Sequence, residues 1–234
     1  MTRARGATTV AIVPAGGRGR RMGRRDPKQY LALGGVPLLV LALRALAAAV
    51  DGLVVAVPAD RVALTARLLA RHRVPRVFEV VAGGAERQDS VWRGLQVLPP
   101  AARWVVVHDA VRPFITAELV RRVLAGARAH GAATCGLAVR ETVKRVRDGL
   151  IESTVDREGL WLTQTPQAFR RELLVEAHEK SRRDGYQGTD DAVLVERLGG
   201  PVAMIAGPAR NLKVTTPEDL ETARLWLGPR GRRT

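Results

Sequence analysis

Short, mostly apolar runs alternate along the chain with longer stretches whose apolar positions recur every three or four residues. Thr9–Val13 is a β-branched run that ends at Pro14 and reads as a buried strand. Leu53–Val57 (closed by Pro58), Arg76–Val81 (closed by Gly83-Gly84), Trp104–Val107 (stopping at His108-Asp109) and Ala132–Val139 have the same form. Between them, Leu38–Val50, Asp60–Arg71, Asp89–Leu98 and Thr116–His130 carry helical spacing. Pro37 suits the first turn of the first helix. Asp89 or Ser90 suits the cap of the third, and Thr116 caps the fourth, with Glu118 in its first turn. Apolar strands that alternate with helices predict an α/β fold, with a mostly parallel sheet wound by crossover helices and covered on both faces.

The pattern breaks after residue 139. Thr142–Arg147, a turn at Asp148-Gly149, and Leu150–Val155 read as a β-hairpin, with little apolar surface of its own. It is expected to protrude as an arm, residues 140–158, and to lie on something else, such as a second subunit. Helical spacing resumes at Arg171–Arg183 and Asp190–Leu198. A strand pair, Val202–Ile205 and Leu212–Val214, precedes a last helix at Pro217–Leu227. With no linker or repeat, residues 1–234 are expected to form one domain, with basic, disordered ends at 1–7 and 228–234.

Composition narrows this picture. A chain of 234 residues, 46% hydrophobic, needs no staple, since that length buries roughly 70–75% of its unfolded surface. Cys135 stands alone, so neither an internal disulfide nor a cysteine-cluster metal site is available. No segment reaches the ~20 apolar residues of a membrane span, and nothing reads as a signal peptide. The expectation is a soluble cytoplasmic protein with no membrane partner.

The formal charge of +15 raises the question of a nucleic-acid partner. Its distribution argues against one. Arg61, Arg67, Arg71, Arg121, Arg122 and Arg128 are scattered along helices, other arginines sit in the tails, and aromatics for base stacking amount to only 4%. The dense exception is Arg18–Arg25, inside a glycine-rich loop.

That loop opens directly from the first strand: Val10–Met22 reads VAIVPAGGRGRRM. Glycines there let backbone N–H groups reach phosphate oxygens, and arginines add charge-assisted bonds. The Walker pattern is absent, and the dinucleotide pattern is missed by one residue, as Gly17-x-Gly19-x-x-x-Gly23. The string Ala15–Met22, followed by Pro27-Lys28-Gln29, resembles the loop of nucleotidyltransferases that activate sugars and polyols. Asp109, at a strand end, suits Mg²⁺, which takes one or two carboxylates plus substrate phosphates. Gly83–Ser90 offers N–H groups and the Ser90 hydroxyl to a base edge. Arg157 can clamp a phosphate. Lys213 is one of only four lysines and stands among apolar neighbours, which suggests a need for a compact ammonium. His108 and Trp161 read as structural, and His72, His130 and His178 as helix surface or helix ends.

Together Pro14–Gln29, Gly83–Ser90, His108–Pro113, Thr142–Arg145, Asp156–Gln167, Thr189-Asp190 and Asn211–Leu220 resemble, in order and over nearly the whole chain, the 2-C-methyl-D-erythritol 4-phosphate cytidylyltransferase family. The resemblance implies a Rossmann-like fold and a homodimer joined through the hairpin arm. It implies transfer of a cytidylyl group from CTP to methylerythritol phosphate with release of pyrophosphate, and Mg²⁺ as cofactor. By it, Arg21 and Lys28 stabilise the transition state and Asp109 holds Mg²⁺. Arg157 and Lys213 position the acceptor phosphate, with Thr142 beside them, Arg157 and Thr142 acting from the partner's arm. Ala15, Gly16, Gly17, Gly84, Ser90 and Ala110 form the nucleotide shell, and Pro14, Gly19, Arg87 and Thr189 join the binding residues. Ala85 departs from members that carry Asp there to contact the base amine, which leaves pyrimidine selection to backbone groups and Ser90. A sibling enzyme acting on ribitol 5-phosphate is the near alternative, and a non-catalytic nucleic-acid binder the distant one.

Overall fold

The computed structural model describes residues 8–17 and 27–227. Its centre is a seven-stranded sheet built from β1 (Thr9–Pro14), β4 (Gly52–Val57), β5 (Val77–Ala82), β6 (Trp104–Val107), β7 (Ala132–Ala138), β10 (Trp161–Arg170) and β11 (Ala203–Ala206). The order across it is β11-β7-β10-β6-β1-β4-β5. Strand β1 runs parallel to β4 and β6, β4 to β5, and β7 to β11, while β10 is antiparallel to both β6 and β7.

The apolar strands are buried on both faces, as uninterrupted runs require. On one face Ala11, Val13, Val55 and Val106 pack against Leu39 and Leu43 of α1 (Leu38–Ala47), Leu69 of α2 (Val62–Arg71) and Val120 and Val123 of α4 (Ala117–His130). On the other face Val10, Ile12, Val54, Val105 and Phe169 pack against Val91 and Leu95 of α3 (Arg87–Gln96) and Leu174 and Ala177 of α5 (Arg171–Arg183). Each such leucine or phenylalanine contributes roughly 1.5–3 kcal/mol by leaving water. Gly94 lies inside α3, where glycine costs about 1 kcal/mol relative to alanine. A Cβ there would stand 2.6 Å from Ile12 Cγ2, so the missing side chain lets α3 lie close on β1.

The hairpin, β8 (Val143–Arg147) and β9 (Leu150–Val155), forms its own two-stranded sheet. Asp148 and Gly149 take positive φ values of 51° and 80° at its tip, as the sequence predicts for a tight turn. A smaller ladder, β2 (Ala32–Leu33) with β3 (Val36–Pro37), precedes α1.

Several sequence expectations are corrected. Strand β10 was not anticipated, because Pro166 sits within it and proline argues against a central strand. The ladder with β7 breaks between Gln164 and Gln167, and that irregularity takes in the proline. Leu212–Val214 is not a strand: it lies in an irregular segment that Val214 N–H ties to the Val111 carbonyl at 2.9 Å. Helix α3 starts at Arg87, not at Asp89 or Ser90; Glu86 is its N-cap, and the Asp89 carboxylate accepts the Glu86 N–H at 3.2 Å. The helix expected over Asp190–Leu198 is only α6 (Ala192–Glu196). Pro37 ends β3 just ahead of α1 rather than lying in its first turn. The last helix, α7 (Pro217–Leu227), is as expected. Among the described residues no helix is long and apolar enough to cross a membrane.

Candidate active site

Two turns face each other where β1 and β5 end. The first leaves β1 at Pro14. Ala15 N–H continues the ladder to the Ala56 carbonyl at 2.7 Å, and the buried Gln29 side chain donates to the Ala15 carbonyl. Gln29 belongs to a short 3-10 turn, Lys28–Tyr30. A Cβ on Gly17 would lie 3.8 Å from Lys28 Cε, so the lysine stem runs beside the glycine turn. The second turn is pinned by Ser90: its hydroxyl accepts the Gly84 N–H at 3.2 Å and donates to the Glu86 carbonyl at 3.1 Å. A Cβ on Gly84 would come within 2.1 Å of Asp89 Cβ, so this approach demands glycine. A Cβ on Gly16 would lie 3.7 Å from Ser90 Oγ, and that closeness joins the two turns. Gly19 and Arg21 fall among residues 18–26, outside the described residues.

Next to them, the end of β6 places Asp109 in a cluster of cations. Lys213 Nζ stands 2.9 Å from Asp109 Oδ2, Arg87 Nε 3.3 Å from Oδ1 and Arg112 Nε 3.6 Å from Oδ2. Burial alone would raise the Asp109 pKa, but Arg87 first, then Lys213 and Arg112, outweigh it and hold the carboxyl well below the usual range. Burial pulls the Arg112 pKa down, yet a guanidinium stays charged. These groups line a cavity of about 190 Å³ with Thr163, Gln164, Thr165, Thr189 and Asp190. A larger groove of about 560 Å³ runs between Tyr30–Ala32 and α2; among the described residues its lining holds no carboxylate, and its polar groups are the Tyr30 phenol and Arg61, Arg67 and Arg71.

His108 is fully buried, and burial lowers its pKa to about 4, so the ring is neutral. The neutral ring fits one tautomer: Nε2–H donates to the Arg112 carbonyl at 3.3 Å, and Nδ1 accepts the Thr165 hydroxyl at 3.1 Å. The Thr165 oxygen in turn accepts the Asp109 N–H at 3.0 Å. His108 is therefore structural, as the sequence suggests, and it fixes the backbone on both sides of Asp109. His178 corrects its expectation. It is fully buried rather than on a helix surface, and its Nε2 lies 3.1 Å from Asp191 Oδ1. Burial opposes ionisation of Asp191, but Arg87 and the His178 hydrogen bond keep its pKa low.

Lys28, Gly16, Gly17, Gly84 and Ser90 thus gather at one end of the sheet, while Asp109, Arg87, Thr189 and Lys213 line the cavity beside them. Pro14 and the buried Ala110 flank the two groups in sequence. Arg157 and Thr142 are exposed at the root of the arm and do not line the cavity; the Arg157 guanidinium donates to the Arg140 carbonyl of its own chain. Sequence reasoning passed over Arg112, Thr163, Gln164, Thr165 and Asp190. Arg112 carried a signal, three residues after Asp109, whereas the others depend on the unforeseen β10 and on the loop before α6.

Asp109 is a hard oxygen donor kept ionised at the cavity, and among the described residues no group of three or more His, Cys, Asp or Glu could enclose a metal. That donor set fits a cation taking one protein carboxylate and completing its shell with phosphate oxygens.

A wound parallel sheet with a glycine turn at its first strand end, beside a cation-laden cavity, defines a nucleotide-handling α/β enzyme. Residues 9–229 match the family model described as 2-C-methyl-D-erythritol 4-phosphate cytidylyltransferase, and the chain belongs to that family. It is 46% identical over 222 residues to the enzyme of that name from Syntrophus aciditrophicus, covering 93% of this chain and 95% of the relative. It is 44% identical over 223 residues to that of Geobacter metallireducens, covering 93% and 96%. The crystal structure of the Thermus thermophilus enzyme superposes with a TM-score of 0.77 at 35% identity, covering 94% of this chain and 98% of the other.

Proposed function

We propose that the chain catalyses transfer of the cytidylyl group of CTP to 2-C-methyl-D-erythritol 4-phosphate, as its family membership over residues 9–229 indicates. An acceptor phosphate oxygen attacks the α-phosphorus of CTP. One O–P bond forms, the bond to the β-phosphate oxygen breaks, and pyrophosphate leaves. The acceptor phosphate is already ionised at neutral pH, so the obstacle is one anion approaching another. Catalysis then amounts to positioning and charge neutralisation.

The observation that carries this reading is the pairing of two compartments: a glycine turn with Lys28 alongside, and the Asp109 cavity with the half-exposed Lys213. The turn N–H groups, Lys28 and Arg21 would face charge growing on the α-phosphate, while Lys213 and Arg112 would hold the acceptor phosphate. Ser90 keeps one lone pair beyond its two loop bonds, enough to accept from a base amine. Asp109 would hold Mg²⁺, which with bound phosphates would supply neutralisation of the triphosphate charge.

The arm supports a homodimer. Val146, Leu150 and Ile151 are 56%, 75% and 66% exposed on a hairpin without a core, and a partner's surface would cover them. Arg157 and Thr142 would then reach the neighbouring cavity. A lone buried cysteine fits work in the reducing cytoplasm.

Pyrophosphate release, measured with CTP and Mg²⁺ against methylerythritol phosphate and ribitol 5-phosphate separately, tests the assignment. Turnover with the first is expected; turnover with ribitol 5-phosphate alone would transfer the chain to the sibling activity, and none with either would overturn the reading. Lys28→Ala should lower kcat by roughly 10²–10³-fold, the cost of one lost transition-state donor, with a much smaller change in CTP binding. Unchanged turnover would remove Lys28 from that role.

A further inference from the structure

The two arginines beside Asp109 are both held back from it. An arginine next to a carboxylate ordinarily closes a two-pronged fork on it. Here Arg87 gives its short bond, 2.6 Å from Nη1, to Asp191 Oδ2, and reaches Asp109 only through Nε at 3.3 Å. Arg112 gives Nη1 to the Asn211 carbonyl at 2.7 Å and leaves Nε 3.6 Å from Asp109, beyond hydrogen-bond reach. The restraint shows in idle donors: among the described residues Arg87 Nη2 and Arg112 Nε are buried without a hydrogen-bond partner. Among the described residues only the half-exposed Lys213 makes a short contact with Asp109.

Asp191 is itself anchored. It is 1% exposed, its Oδ1 lies 3.1 Å from His178 Nε2, and its N–H donates to Gln167 Oε1 at 3.0 Å. Gln167 in turn donates from Nε2 to Thr134 and Asp190. An ionised carboxylate has about four lone-pair sites. Two complete arginine forks would fill them; the observed arrangement leaves room.

We propose that Asp191, braced by His178, is a positioning residue that holds Arg87 back from Asp109, so that the Asp109 carboxylate keeps lone pairs open to an incoming ligand of the cytidylyl transfer. The proposal rests on the functional reading above. Without Asp191, Arg87 has one carboxylate left in reach among the described residues and closes its fork on Asp109.

The test combines Asp191→Asn, His178→Gln, His178→Leu, Arg87→Gln and the Arg87→Gln/Asp191→Asn double variant. Kinetics are run with CTP and methylerythritol phosphate, and the Arg87 Nε–H resonance is followed in the ligand-free protein. Asp191→Asn should lower kcat by roughly tenfold or more, with KM for CTP little changed. It should also slow exchange of the Arg87 Nε–H by roughly 10–100-fold, the range set by one charge-assisted hydrogen bond, as the fork closes. His178→Gln keeps an N–H where Nε2 stood and should retain activity, whereas His178→Leu should behave like Asp191→Asn. The double variant should be no worse than Arg87→Gln alone, since Asp191 acts through Arg87. Additive losses in the double variant, or unchanged Nε–H exchange in Asp191→Asn, would overturn the proposal. If Asp191→Asn does not fold, the His178 pair and the Nε–H signal still decide it. An inactive wild type would instead strike the functional reading and leave the exchange result standing.

Discussion

Around Asp109, Thr165, His108, Arg112, Asn211 and Gln164 bond in a closed, buried chain, with Arg112 Nε and Asn211 Oδ1 left over. On the hairpin the situation is reversed. Among the described residues its ladder is paired with itself alone, and Val146, Leu150 and Ile151 face water. A buried network of this kind is fixed by its own chain, since each member would be costly to leave unsatisfied. An apolar strip on a two-stranded ribbon has no such support, because a lone hairpin is marginal in water. The comparison separates what one copy of the chain completes from what it leaves for another.

The largest effect expected from this contrast lies in trans. Lys213→Ala and Arg157→Ala should each lower kcat/KM for the acceptor by roughly 10²-fold or more, Arg157→Ala chiefly through KM for the acceptor. Mixed under conditions that exchange subunits, the two inactive variants should regain about a quarter of wild-type activity, because half of the mixed dimers' sites are intact. No recovery would mean that Arg157 acts within its own chain, or not at all. Of intermediate size, Leu150→Asp with Ile151→Asp should leave the thermal transition nearly unmoved and shift sedimentation toward the monomer, with acceptor KM rising; an unchanged sedimentation coefficient would remove the arm from the interface.

The last effect is confined to acid pH and concerns stability around His108. The unfolded histidine takes up a proton below about pH 6.5, while the buried ring does so only near pH 4. The unfolded state therefore binds more protons across that window. Stability is complete above pH 6.5 and falls, by roughly 3 kcal/mol in all, as the pH drops toward 4. Asp109 and Asp191, held below their ordinary values, add their losses only at lower pH. His108→Gln should flatten the 4–6.5 window in denaturant titrations, and an unaltered slope there would exclude His108 as its source.

The legibility of the sequence follows the same division. Strands β1, β4, β6 and β7 were visible because burial on both faces demands apolar runs, and the edge strand β5 because its valines and Phe78 flank a single exposed Glu79. The hairpin was visible because Asp148-Gly149 satisfies a turn that few residue pairs accept. Lys213 stood out through the scarcity of lysine. Strand β10 was hidden because its Pro166 breaks the local rule, and what accommodates it, an irregular ladder against β7, exists only after the strand has neighbours. Thr163, Gln164 and Thr165 went with it. His178 and Asp191 were invisible for another reason: α5 and the loop before α6 meet only in the folded chain, and a lone histidine on a helix says nothing of what it faces.

The irregular ladder of β10 also sets where this chain tolerates changes of length. Gln167 lies beside Val107 and Trp161 beside Ala138, so one strand fixes both Thr165 at Asp109 and the base of the hairpin. Deleting a single residue between 161 and 170 would turn every later side chain to the opposite face and part the threonine from its histidine. Extra residues at Asp148-Gly149 would merely lengthen the hairpin's tip, so homologues that differ in length are expected to have gained or lost residues there rather than in β10.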